Sequence, residues 1–312
     1  MPRVAAVDCG TNSIRLLVAD VDAATGELET LDRRMEIVRL GQGVDRTGRL
    51  APEALERTFA ACRRYAQVIE EHGAKRLRFV ATSASRDAEN RDEFVRGVVE
   101  ILGVEPEVIS GDQEAQFSFT GATKELAGRQ DVERPYAVVD IGGGSTEFVV
   151  GSEEVRAARS VDVGCVRLTE RHGLSGRATP DQIEAMRADV TAALDEAARS
   201  VPLAEARTLV GLAGTVTTVA GIALGLDEYD SAAIHHSCVS AGQVREIVQR
   251  LLDSTHAERA AIPVMHPGRV DVIVAGALIL QMIMERTGAG EVVVSEHDIL
   301  DGIAIHTALD AR

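Results

Sequence analysis

The sequence predicts a duplicated α/β protein with a mixed β-sheet in each half. Two observations carry this. The pattern Asp-x-Gly-x-x-Ser occurs twice, as Asp8-Cys9-Gly10-Thr11-Asn12-Ser13 and as Asp140-Ile141-Gly142-Gly143-Gly144-Ser145, each time between two apolar runs. On either side of a polar segment at 128–135, strand-like runs come first, and helical and strand-like runs then alternate. Each copy of the pattern reads as strand, tight Gly-containing turn, strand.

In the first half, Val/Ile/Leu-rich runs bounded by Gly or Asp predict strands at 3–8, 14–21 and 34–40. Pro52 at a first helical turn opens an amphipathic helix over 52–72. A strand at 76–81, a helix at 91–102, a short strand at 106–109 and a helix at 112–127 follow. The second half repeats the opening with strands at 136–140, 146–150 and 155–161. Helices are expected at 180–200, 214–223, 241–252 and 269–287, with strands at 207–212 and 291–295. The tail, 298–311, reads as a helix. The expected domains are 1–127, joined by the terminal helix from about 299 to 312, and 128–298.

Composition narrows the function. The chain has 312 residues, enough for two cores, with 45% hydrophobic and 26% charged residues, as in water-soluble globular proteins. It holds no run of eighteen apolar residues and starts on a strand, so neither a membrane span nor a signal peptide is expected. Cys9, Cys62, Cys165 and Cys238 are scattered without a Cys-x-x-Cys pair, which points to reduced thiols and a cytoplasmic protein. A formal net charge of −16 disfavours extended nucleic acid as a partner. It leaves room for a small or linear polyanion. Positive charge is nearly all arginine, the lysines being Lys75 and Lys124. Arginine suits bidentate phosphate contacts.

The two turns are the candidate site. Each offers backbone N–H groups and a Ser hydroxyl to an anion, with an Asp at the strand end. Facing each other across a cleft, they would hold one phosphorylated ligand. Seven positions after the Asp they differ: Arg15 in the first copy is a natural phosphate ligand. In the second, Glu147 with Asp140 is suited to holding Mg²⁺ through oxygen, with a cross-strand ion pair as the alternative for Glu147. Asp8 is a third candidate metal ligand. No Walker loop, dinucleotide fingerprint or hydrolase elbow is present. The pair His235-His236 reads as polar loop residues, or as residues beside a metal's ligands, rather than as metal ligands themselves, because neighbours on a strand point to opposite sides.

These residues resemble the exopolyphosphatase/guanosine-pentaphosphate phosphatase (Ppx/GppA) family from residue 4 to about 303. The matching segments are 8–15, Thr82-Ser83-Ala84-Ser85-Arg86-Asp87-Ala88-Glu89-Asn90, Ser110-Gly111-Asp112-Gln113-Glu114-Ala115, 140–147, 164–168, Gly211-Leu212-Ala213-Gly214-Thr215 and 269–273. The resemblance implies a duplicated actin-like (ribonuclease H-like) ATPase fold, with two lobes of mixed sheet flanked by helices and an interlobe cleft. It implies hydrolysis of the terminal phosphate of inorganic polyphosphate, with Mg²⁺ as cofactor and Glu114 as general base. Arg15 and Arg86 are then terminal-phosphate ligands. Asn12, Ser13, Gly143, Gly144 and Ser145 supply turn donors, and Gly214 and Thr215 approach from the second lobe. Guanosine pentaphosphate, a substrate tied to the stringent response, is the alternative. A kinase of the same fold and a non-catalytic polyphosphate or alarmone sensor are the other classes. A homodimer fits the family. Many members carry an extra C-terminal helical region, so a chain ending here implies a catalytic core with a taste for short polyphosphates. The segment 295–302 carries added carboxylates where the family more often has a Gly and an Arg, which puts anion binding there in doubt.

Overall fold

The computed structural model describes residues 1–22, 24–129 and 132–310. In chain order its elements begin with β1 (Arg3–Cys9), β2 (Ser13–Val21), β3 (Leu28–Ile37), α1 (Val44–Thr47) and α2 (Pro52–His72). Next come β4 (Arg76–Ala81), α3 (Ser83–Asp87), α4 (Arg91–Leu102), β5 (Glu107–Val108) and α5 (Gly111–Thr123). The second set runs β6 (Tyr136–Ile141), β7 (Thr146–Gly151), β8 (Val155–Val161), α6 (Cys165–Arg171), α7 (Pro180–Ala198), β9 (Thr208–Leu212) and α8 (Ala213–Leu224). It continues with α9 (Ser231–Ile234), β10 (Cys238–Ser240), α10 (Ala241–Asp253), α11 (His256–Ala260), α12 (Ile273–Thr287) and β11 (Glu291–Val294), before α13 (Ile299–Leu309) closes the chain. Two compact units result: residues 1–124 with 298–312, and residues 125–297.

The first unit holds a five-stranded sheet in the order β3-β2-β1-β4-β5. β1 pairs antiparallel with β2 and parallel with β4. Its side chains alternate between two cores, as a pleated strand requires. Ala5, Val7 and Cys9 join Leu55, Tyr65, Phe94 and Val98 under α2 and α4. Val4 and Ala6 join Phe117 of α5 and Ile299, Ile303 and Ala304 of α13 on the other face. Covered on both faces, β1 is apolar from Val4 to Val7, between Arg3 and Asp8. α2 starts on Pro52 and stops at Gly73, whose φ of 67° is the left-handed value that ends a helix cleanly.

The second unit repeats the plan in a six-stranded sheet, β10-β11-β9-β6-β7-β8. Read from β8, the strand order and directions reproduce those of the first sheet, with β10 added antiparallel at the far edge. α12 is buried from Ile273 to Met284 and forms the centre of this unit's core. Among the described residues no helix is long and apolar enough to cross a membrane. No disulfide joins the cysteines: Cys9, Cys62 and Cys165 are buried and Cys238 is exposed. Burial pushes the Cys62 thiol up to about 12 and the Cys165 thiol up to about 11.

Two expected elements are corrected. β3 begins at Leu28 rather than 34 and ends at Ile37, because a sheet-edge strand tolerates the charged residues that masked its start. The helix expected from 269 begins at Ile273, after a 3₁₀ turn over Pro267–Arg269. Short helices α1, α3, α6, α9 and α11 were not anticipated; four to seven residues carry too few turns for a periodic signal. Gln130 and Asp131 of the expected linker, and Ala311 of the expected tail helix, lie outside the described residues.

Candidate active site

Both Asp-x-Gly-x-x-Ser segments are hairpin turns of one geometry. Gly10 N–H donates to the Ser13 carbonyl at 2.9 Å, and Gly142 N–H to the Ser145 carbonyl at 3.0 Å. The register that follows sets Asp8 directly across from Arg15, and Asp140 directly across from Glu147. One hairpin therefore pairs opposite charges and the other pairs like charges.

In the first hairpin, Arg15 donates through Nε and Nη2 to Asp8 Oδ2, at 3.0 and 2.6 Å. Its Nη1 donates to Asp298, the N-cap of α13. The two buried carboxylates diverge in consequence. Burial pushes the Asp8 carboxyl up and Arg15 only partly offsets it. Burial acts on Asp298 as well, but Arg15, Arg33 and the Leu300 N–H outweigh it and hold that carboxyl below its ordinary range. The Asp8 Oδ1 and Asn12 Oδ1 atoms are buried without a hydrogen-bond partner. Thr11 shares a hydrogen bond of 2.8 Å with Ser83, tying the turn to α3. The backbone carbonyl of Asn12 accepts from Val38 and Arg39.

Glu114 sits in the first turn of α5, whose start is set by a capping box between Ser110 and Gln113. It is buried, and its Oε2 accepts from Arg86 Nη1 at 3.2 Å. The same nitrogen donates to the Ile109 carbonyl at 3.0 Å. Arg86 comes from α3, directly after β4, so both side chains stand where strands of the first sheet pass into helices.

In the second hairpin the glycine carbonyls are all engaged. Gly142 accepts from Cys165 N–H, Gly143 from Val166 and Arg167 N–H, and Gly144 from Arg167 Nε at 2.7 Å. This close approach of α6 needs Gly164, since a Cβ there would lie 2.5 Å from the Gly143 carbonyl carbon. Asp140 and Glu147 are 7% and 1% exposed. Glu147 accepts from Ser160 Oγ at 2.7 Å. Two buried carboxylates directly opposite each other are unfavourable unless a cation or proton joins them. An all-oxygen pair of this kind fits Mg²⁺.

Gly214 and Thr215 open α8, after Ala213 in the left-handed region at φ 65°. Such strain in a non-glycine residue is retained where the surroundings over-determine it. Here the surroundings include Arg269, which donates to the Gly214 carbonyl at 2.6 Å and to Thr218 Oγ1 at 3.0 Å. A Cβ at Gly214 would meet the Arg269 guanidinium at 2.0 Å, so the glycine is there for the arginine.

Three side chains escaped sequence reasoning: Asp298 on Arg15, Arg269 on Gly214, and Glu125. The last accepts from His235 Nε2 at 2.9 Å and lies 3.4 Å from His297 Nδ1. Donor atoms of these three residues lie within 4.8 Å of one another. His235 Nδ1, however, accepts from the Glu296 N–H, so its proton is on Nε2, against the carboxylate. A metal ligand needs that nitrogen bare and its other nitrogen donating. Glu125 thus holds His235 by a hydrogen bond and lies close to His297, and the His235 and His236 rings stack at 3.6 Å rather than pointing to opposite sides.

Comparison with known proteins decides the family. The model of the Ppx/GppA phosphatase family matches residues 17–310. The chain belongs to the Ppx/GppA phosphatase family. It is 50% identical, over 99% of both chains, to Exopolyphosphatase 2 of Mycobacterium tuberculosis. It is 28% identical to the guanosine-5'-triphosphate,3'-diphosphate pyrophosphatase of Aeromonas hydrophila, covering 97% of this chain and 58% of that one. A crystal structure of an exopolyphosphatase-like protein superimposes with a TM-score of 0.93 at 44% identity, over 98% of this chain and 97% of that one. The Aquifex aeolicus Ppx/GppA structure gives 0.79 at 29% identity, over 99% and 98%. The two mixed sheets flanked by helices share the fold of this Ppx/GppA protein.

Proposed function

We propose that this protein is an exopolyphosphatase, with Glu114 as the general base and Mg²⁺ as cofactor. The observation that carries the reading is Glu114 itself, a buried carboxylate held by Arg86 at the N-terminal turn of a helix. A pure binder of phosphate has no use for a carboxylate in such a place, whereas a hydrolase needs one to take a proton from water. The full-length likeness to a mycobacterial exopolyphosphatase supports polyphosphate as the substrate.

In this reading Glu114 removes a proton as the water oxygen bonds to the terminal phosphorus. The phosphoanhydride bond breaks, and the chain leaves one phosphate shorter. Arg86 orients Glu114 and neutralises a terminal phosphate oxygen. Arg15, Asn12, Ser13, Gly143, Gly144, Ser145, Gly214 and Thr215 bind the phosphate chain. Asp140 and Glu147 would hold Mg²⁺, and Asp8 is a further candidate oxygen ligand. The ion supplies positive charge against the phosphates. Reduced thiols suit a cytoplasmic enzyme. Phosphate release from tripolyphosphate, long polyphosphate and guanosine pentaphosphate, each with and without Mg²⁺, tests the proposal. Release from polyphosphate that needs the metal supports it. Release confined to guanosine pentaphosphate replaces it with the alarmone phosphatase reading.

A further inference from the structure

Arg15 is gripped from two directions, and only one grip belongs to its own hairpin. Asp8, across the ladder, takes Nε and Nη2; Asp298, 283 residues further along the chain, takes Nη1. Asp298 is held in place independently of Arg15. Its Oδ1 caps α13 by accepting from Leu300 N–H at 3.0 Å, and its own N–H donates to Asp301 Oδ2 at 2.9 Å. Behind it, Gly121 of α5 lies so close that a Cβ would stand 1.9 Å from the Asp298 carbonyl oxygen. Asp301, also buried, pairs with Arg33. Asp298 and Asp301 are thus each held both by the start of α13 and by an arginine, Arg15 and Arg33 respectively.

A carboxylate and a phosphate oxygen make the same kind of charge-assisted bond to a guanidinium. We propose that Asp298 is a specificity-determining residue that competes with substrate phosphate for Arg15 and sets a low affinity for short polyphosphate. The inference rests on Arg15 being a phosphate ligand, as in the function proposed above. A phosphate reaching Arg15 displaces or shares the bond to Asp298. Asp298 is a competitor fixed by the fold, and it remains in position when the phosphate leaves.

The test is Asp298→Asn, because Asn caps a helix as well as Asp does while the variant removes the negative charge and one of the two acceptor oxygens. Binding of tripolyphosphate with Mg²⁺ is measured by calorimetry in a Glu114→Gln background, where turnover cannot intervene. Asp298→Ser, also a good cap, serves as the second variant, and a circular dichroism melt verifies the fold of each. The expected result is about tenfold tighter binding in both variants, with no gain when Arg15→Gln is added. Unchanged or weaker binding would overturn the competition and make Asp298 a support for Arg15. If the parent shows no binding, its appearance in Asp298→Asn supports the inference and its absence ends it. Failure of the proposed function is separate: the wild type would then release no phosphate from any polyphosphate.

Discussion

Arg86 Nη1 bridges Glu114 Oε2 and the Ile109 carbonyl, at 3.2 and 3.0 Å. The sequence treats this arginine and this glutamate as separate tools, a phosphate ligand and a base. The structure joins them. One nitrogen fixes the carboxylate relative to the strand end that precedes α5, so in the function proposed above removing Arg86 misplaces Glu114 as well as losing a positive charge.

Arg86→Ala is therefore expected to lower kcat by about 100-fold, as small misplacements of a catalytic group do, and to raise KM. Arg86→Lys keeps charge without the planar fork and should recover KM more than kcat. Steady-state phosphate release from tripolyphosphate gives both constants. A variant changed in KM alone would mean that Arg86 does not position Glu114.

The crossing of α5 and α13 is made backbone to backbone. A Cβ at Gly302 would meet the Phe117 carbonyl oxygen at 2.0 Å, and backbone cannot move aside as a side chain can. Gly302→Ala should destabilise the protein by about 1–3 kcal/mol through overpacking and reduce activity by shifting the helix that carries Glu114. Gly290→Ala, with nothing within 4 Å of its Cβ, should leave both unchanged. Thermal melts of the two variants settle the comparison.

His236 gives a pH signature. Burial, aided by the His235 ring stacked at 3.6 Å, pushes its imidazole down to about 4. The unfolded chain binds a proton near the ordinary value of about 6.5, while the folded chain does not until about 4. Between these values the unfolded state holds more protons, so stability falls as pH drops through the window and is unaffected above it. His236→Asn tolerates the residue's φ of 61° and removes this contribution. Urea melts from pH 7 to 4.5 should show a shallower decline for the variant. An identical slope would contradict burial of a neutral imidazole.

How legible the sequence was depended on range. β1, β2, β6 and β7 were readable because they are largely buried: apolar runs lead up to Asp8 in β1 and Asp140 in β6, and the runs 16–19 and 148–150 follow the two turns. The sequence coupled Glu147 with Asp140, but that Arg15 stands across from Asp8 came only from the register. β3 was misplaced because its edge position admits Asp32, Arg33 and Arg34. Contacts between residues far apart in the chain were silent. Nothing near Asp298 names Arg15, and nothing near Gly302 announces Phe117, since only packing of α13 on the first sheet brings them together. Arg269 was visible as a family segment, but its task at Gly214 needed coordinates.

Glu114→Gln tests the central claim most directly. Phosphate release from tripolyphosphate with Mg²⁺ is measured beside tripolyphosphate affinity, for the wild type and the variant. The amide keeps shape and cannot take a proton, so turnover should fall by about 10²–10⁴-fold while affinity stays within a few-fold. Turnover at the wild-type rate in Glu114→Gln would contradict the account.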